Sequence, residues 1–211
     1  MIDFAFFAAV TASLFAIVDP IGALPFFVAL TQGFGESDRK VVLRRAILVA
    51  GAVLVVFALF GRFLFAAFGF TLAAFEIAGG IILFFVAYDM LRGEITRTKL
   101  SATDRAQALA RRDEVSVVPL GIPLLAGPGA ISTVMIYAGT GVPDLFTLLA
   151  TLAAIAVIIV ASFFIFRYGQ RIFRALGNTG VVALTRVLGL ILAAVGVQFV
   201  LNGIFAAFPT L

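Results

Sequence analysis

The stretch AGPGAISTV, residues 126–134, lies inside a long apolar run where a membrane-spanning helix belongs. Two glycines flank a proline, and Ser132 and Thr133 follow at once. A second stretch, VDPIGALPFF at 18–27, repeats the arrangement near the N-terminus, with Asp19 before Pro20 and a further proline at Pro25. A proline inside a helix removes one hydrogen bond and clashes with the carbonyl four residues earlier. Lipid cannot satisfy the freed carbonyl. Broken backbone at membrane depth is therefore tolerated only where protein buries it or where it lines a polar cavity.

The composition identifies lipid as the solvent. Of the 211 residues 63% are hydrophobic and 12% charged, whereas a soluble domain carries about a quarter charged residues. The apolar runs reach about 20 residues, enough to cross a bilayer as helix. They are continuous rather than alternating, which argues against an outer-membrane barrel. Absence of Cys, His and Trp removes thiol chemistry, disulfides, His-ligated metals and Ser-His-Asp triads, and no catalytic residue, metal site or cofactor is expected. The net charge of +4 does not indicate nucleic acid, because the basic residues sit at helix ends, where they orient a membrane protein.

Six spans are expected, at 4–31, 45–65, 71–91, 115–139, 145–167 and 181–205. MIDFAFF has no basic residue before Arg39, so it reads as the first span rather than a cleaved signal. The polar stretch 93–114 reads as a solvated linker with a short helix beginning near Ser101 or Thr103. The chain thus divides into 1–91, a linker 92–114, and 115–211, forming one membrane domain. Arg39, Lys40, Arg44 and Arg45 mark the first loop. Arg92, Arg97, Lys99, Arg105, Arg111 and Arg112 mark the linker, and Arg167, Arg171 and Arg174 the fifth loop. This asymmetry places those loops in the cytoplasm and both termini outside the plasma (inner) membrane of a prokaryote.

Three spans on either side of the linker imply that the second half enters the membrane from the opposite face, as an inverted repeat. Pro20 and Pro128, Gly69 and Gly177, and Gly79 and Gly189 are 108 to 110 residues apart. A second register pairs Pro20 and Pro25 with Pro123 and Pro128. The expected fold is all-α, a 3+3 inverted repeat whose first and fourth helices break near the midplane. Asp19 and Gly127 can cap new half-helices that start at Pro20 and Pro128. Such ends offer free N–H groups and a positive dipole to an anion, with the hydroxyls of Ser132 and Thr133 nearby. The carbonyls freed near Ala16 and Leu124 can hold a cation. Accepting both charges suits a zwitterion.

The remaining intramembrane polar groups say less. Gln198 and Asn202 share one face of the sixth span, lining a cavity or bonding between helices. Arg62 and Glu76 lie near span ends, where a structural pair is expected. Tyr88 and Asp89 lie near the end of the third span, where an interfacial role is the default.

Together DPIGALPFF, FEIAGGIILF, PLGIPLLAGPGAIST and LTRVLGLILAAVGVQFVLNGI resemble the MarC family of bacterial and archaeal membrane proteins, over nearly the whole chain. That family is grouped with LysE-like exporters, and some members are described as transporters of small neutral amino acids such as glycine and alanine. Its name comes from an antibiotic-resistance locus and does not imply drug efflux. The resemblance places Asp19, Pro20, Gly22, Pro25, Gly127, Pro128, Gly129, Ser132, Thr133 and Asn202 on motif positions. Gly22, Pro25, Gly127, Pro128, Gly129, Ser132, Thr133 and Asn202 are the candidate substrate-binding residues. Glu76 departs from the basic or amide residue expected there and receives no role.

The expected function is secondary transport of a small zwitterionic amino acid. No Walker motif is present to couple it to ATP. Asp19, with the carbonyls of Ala16 and Leu124, is the candidate for proton or Na⁺ coupling. Two other classes compete: an intramembrane aspartyl protease, for which Asp19 and Asp89 would have to share a proton, and a membrane scaffold or regulator without flux.

Overall fold

The computed structural model describes residues 4–31, 34–92, 112–138, 145–174 and 177–208. Most of the linker (93–111, with Ser101 and Thr103) and the fourth loop (139–144) lie outside them. The described residues are helical almost throughout and include no strand. In chain order the elements are α1 (Phe4–Val18), α2 (Pro20–Leu30), α3 (Glu36–Phe68), α4 (Leu72–Arg92), an irregular arm (Arg112–Leu125), α5 (Pro128–Tyr137), α6 (Leu145–Arg174) and α7 (Gly177–Ala207). Five stretches among them are long and apolar enough to cross a membrane, and the arm with α5, bent by 57°, makes a sixth.

Two expectations change in detail. Helix α3 begins at Glu36 rather than near 45. Glu36 and Asp38 occupy its first turn, where acidic groups complement the helix dipole, and Lys40 pairs with Glu36 at 3.6 Å. Apolar runs mark only the part of a helix suited to lipid, and the helix continues beyond it. The second change concerns 115–139, which was expected to be an α-helix broken at Gly127. Its first part, Ser116–Leu125, is wound more widely, and the Ala126 N–H bonds the carbonyl of Gly121, five residues back, at 3.0 Å. Val118 (φ −124°, ψ 123°) and Ile122 (φ −137°, ψ 129°) are extended. Each precedes a proline, whose ring excludes the helical region for the residue before it.

Packing is reciprocal between the halves. α1 and α2 lie along α6, the arm and α5 lie along α3, α3 packs on α6, and α4 runs along α7. Phe27 of α2 stacks on Phe166 of α6 with ring centroids 5.1 Å apart, both rings fully buried. At one end of the bundle Asp113 pairs with Arg45 of α3 and with Arg112, and Arg112 reaches Asp38 at 3.4 Å, tying the start of the arm to the start of α3.

The α4–α7 contact has a simple sequence basis. Gly189, Gly196 and Gly203 recur every seven residues on α7, and Ala73, Gly80 and Ala87 do so on α4. A Cβ at Gly196 would lie 2.7 Å from the Gly80 carbonyl oxygen, and one at Gly203 2.6 Å from that of Ala73. One at Gly189 would lie 3.2 Å from the Ala87 carbonyl oxygen. The helices are therefore antiparallel and in backbone contact, as small residues allow in a membrane, where van der Waals packing drives association. Gly79 and Gly189, which the near-constant offset pairs in sequence, do not meet. Gly79 faces Pro128 instead.

Candidate functional site

The first break is built on one residue. Asp19 adopts a left-handed conformation (φ 40°, ψ 64°) between α1 and α2, a region that Asp and Asn tolerate better than most side chains. Its Oδ1 accepts the N–H of Gly22 at 3.0 Å, with Pro20 in the first turn. Gly22 must lack a side chain, because a Cβ there would collide with the Asp19 carboxylate. Pro25 sits half-buried inside α2. Because prolines donate no N–H, the carbonyls four residues before Pro20 and Pro25, those of Ala16 and Ile21, lose their helical donor. Ala16, Asp19, Ile21 and Gly22 are all exposed. A carboxylate facing lipid would cost about 3 kcal/mol by insertion scales and more by others, so this exposed group calls for a polar surrounding.

The second break is buried where the first is open. Ala126, Gly127 and Pro128 are buried, and Gly127 is extended (φ −78°, ψ 171°) before α5. The start of α5 has no side-chain cap, and its first helical bond is from the Ile131 N–H to the Gly127 carbonyl at 3.0 Å. The N–H groups of Gly129 and Ala130 therefore lack intrahelical acceptors. A Cβ at Gly127 would lie 2.5 Å from the Pro123 carbonyl oxygen, whereas one at Gly129 would meet only Ile17 Cγ2, at 3.1 Å. Ser132 and Thr133 donate to the carbonyls of Pro128 and Gly129 at 2.9 and 2.8 Å, which leaves their oxygens only as acceptors for a ligand. Leu124 is half-buried and belongs to the widely wound arm, so the reasoning from an α-helical register does not apply to its carbonyl.

The breaks approach one another. Ile17, two residues before Asp19, touches the space over Gly129, two residues after Gly127. Ser13 of α1 and Tyr137 of α5 join hydroxyls at 3.0 Å on the same helix pair. Sequence reasoning missed this bridge. Each residue is visible as a polar group in an apolar helix, but nothing local pairs positions 124 apart. Ser162 Oγ, in α6, is a buried side-chain polar atom with no hydrogen-bond partner among the described residues. Asn202 is exposed on α7 and accepts from Gln198 at 2.7 Å, within its own helix. No ion pair joins Arg62 to Glu76 among the described residues. Tyr88 lies under the Arg92 guanidinium, 5.4 Å from ring centroid to Cζ, and Asp89 is exposed on the same turn.

This architecture defines a helical multi-pass membrane protein, its helices interrupted at Asp19 and at Ala126–Gly127. The chain belongs to the MarC family of integral membrane proteins, whose pattern it matches over residues 4–208. It is 37% identical to a UPF0056 membrane protein of Pyrococcus abyssi, with 96% of each chain covered. It is 36% identical to YvbG of Bacillus subtilis, over 99% of this chain and 98% of that one. With YhcE of Escherichia coli it shares 32% identity over 99% of this chain and 96% of the other. Both are also UPF0056 membrane proteins, so relatives occur in archaea and bacteria. No solved structure matches the chain.

Proposed function

We propose that the protein is a secondary transporter of small neutral amino acids such as glycine and alanine, with its site between the two breaks. The observation that carries this reading is the contact of Ile17, two residues before the exposed Asp19, with the space over Gly129 in the first turn of the uncapped helix α5. The substrate carboxylate would bind the N–H groups of Gly129 and Ala130, with Ser132 at the side. The ammonium group would face Asp19 and the carbonyls of Ala16 and Ile21. A proton or Na⁺ taken up at Asp19 would couple transport to a gradient. The reciprocal packing supports an inverted repeat, whose halves would rock about the site. Uptake of labelled glycine and alanine into proteoliposomes tests the proposal. A scaffold or a protease would accumulate neither.

Gly129→Leu should lower uptake at least a hundredfold while the protein stays folded in the membrane. Its Cβ would meet only Ile17 locally, and its side chain would occupy the space over the free N–H groups. Normal uptake by this variant would make the second break a packing feature. For orientation, we propose both termini outside and 101–112 in the cytoplasm. The chain has no cysteine, so Ala106→Cys reports cleanly. It should resist an impermeant thiol reagent on intact cells and react after permeabilisation, and ready labelling of intact cells would reverse the orientation.

A further inference from the structure

We infer that the outer face of α7, centred on Gln198 and Asn202, is the contact surface for a second copy of this chain in the membrane. The apolar stretch of α7 runs from Thr185 to Ala207. At about 1.5 Å per residue, Gln198 lies roughly 13 Å and Asn202 roughly 7 Å inside its end, at hydrocarbon depth. Both are exposed. Gln198 is about 200° around the helix from Gly196, which faces α4, so it points away from the packed side. The Gln198–Asn202 hydrogen bond of 2.7 Å satisfies one amide N–H and one amide oxygen. The Gln198 oxygen and the Asn202 NH₂ remain open, and turning both amides together only exchanges which.

Acyl chains offer nothing to those groups, and water is absent at that depth. A second copy offers the complementary set. About a two-fold axis along the membrane normal, the NH₂ of Asn202 meets the oxygen of the partner's Gln198, and the reverse pair forms with it, as an isologous contact requires. The surroundings fit this occupant. Exposed Ile191, Val197, Leu201 and Phe205 flank the amides. Val197 and Leu201 also edge an apolar groove of about 220 Å³, shared with Phe84 and Phe85 of α4, that can receive the partner's apolar side chains.

The test uses the cysteine-free chain in native membranes. Ala194→Cys and Leu201→Cys, on this face, should form a covalent dimer on mild oxidation. Phe63→Cys, on the exposed face of α3, should not. Adding Gln198→Leu and Asn202→Leu should cut the dimer yield at least tenfold, and should shift the purified protein from dimer to monomer by mass in mild detergent. The double variant removes no packed side chain, and its elution as a single sharp species checks that it folds. Equal cross-linking at Phe63→Cys, no dimer at either α7 position, a yield unchanged by the double substitution, or cross-linking to a different protein would each overturn the inference. None of these readouts depends on transport.

Discussion

Gly80→Val should prevent the protein from folding stably. A Cβ at Gly80 would fall on the backbone carbonyl of Gly196 and within 2.9 Å of the Val200 backbone nitrogen. Neither obstacle is a side chain that can rotate aside. The helices would have to separate along the whole antiparallel contact, because Ala73–Gly203 and Ala87–Gly189 set the same spacing one heptad away on either side. Overpacking a well-filled core costs about 1–3 kcal/mol when side chains can yield, and a clash with backbone belongs at or beyond the top of that range. We expect little monodisperse protein after extraction, and for any that remains a fall in the thermal midpoint on the order of 10 °C. Gly35→Ala is the control, since its nearest neighbours would be 3.9 Å away. A wild-type midpoint for Gly80→Val would mean that α4 and α7 do not pack this closely.

That contact also shows what sequence could and could not reveal. The spans were legible because lipid imposes one rule on every residue of a crossing helix, and a run of apolar residues satisfies it visibly. The break at Asp19 was legible because Asp followed by Pro is a helix start wherever it occurs. The α7 glycines stand seven residues apart in the sequence but went unread, because their partners on α4 become meaningful only once the antiparallel register is known. The arm carried a local signal that went unread. Val118 and Ile122 each precede a proline, a position that disfavours helix, yet the apolar run around them suggested a helix broken only at Gly127. The start of α3 escaped because its first turns are polar, so the hydrophobic pattern is silent there. The approach of Ile17 to Gly129 lay beyond sequence altogether, since it arises from packing between halves more than 100 residues apart.

Asp19→Asn should abolish gradient-driven uptake, by at least a hundredfold, and leave the fold intact. Two roles compete for this residue. As a helix cap, its side-chain oxygen accepts the Gly22 N–H, and an asparagine oxygen does the same with nearly equal effect. The left-handed backbone at this position is also open to Asn. As a ligand-facing group, its negative charge or its proton is what matters, and Asn supplies neither. Asp19→Ala is a poorer probe, because it removes the cap, about 1 kcal/mol, and places alanine in a left-handed conformation at a further 1–2 kcal/mol. Its failure would confuse folding with function. The expected pattern for Asp19→Asn is therefore a thermal midpoint within a few degrees of wild type and no accumulation of labelled glycine under a proton or Na⁺ gradient. Uphill uptake at the wild-type rate with the same ion dependence would reduce Asp19 to a helix cap. Coupling would then have to reside in the carbonyls of Ala16 and Ile21 and the hydroxyl oxygens of Ser132 and Thr133, which remain as acceptors at the two breaks.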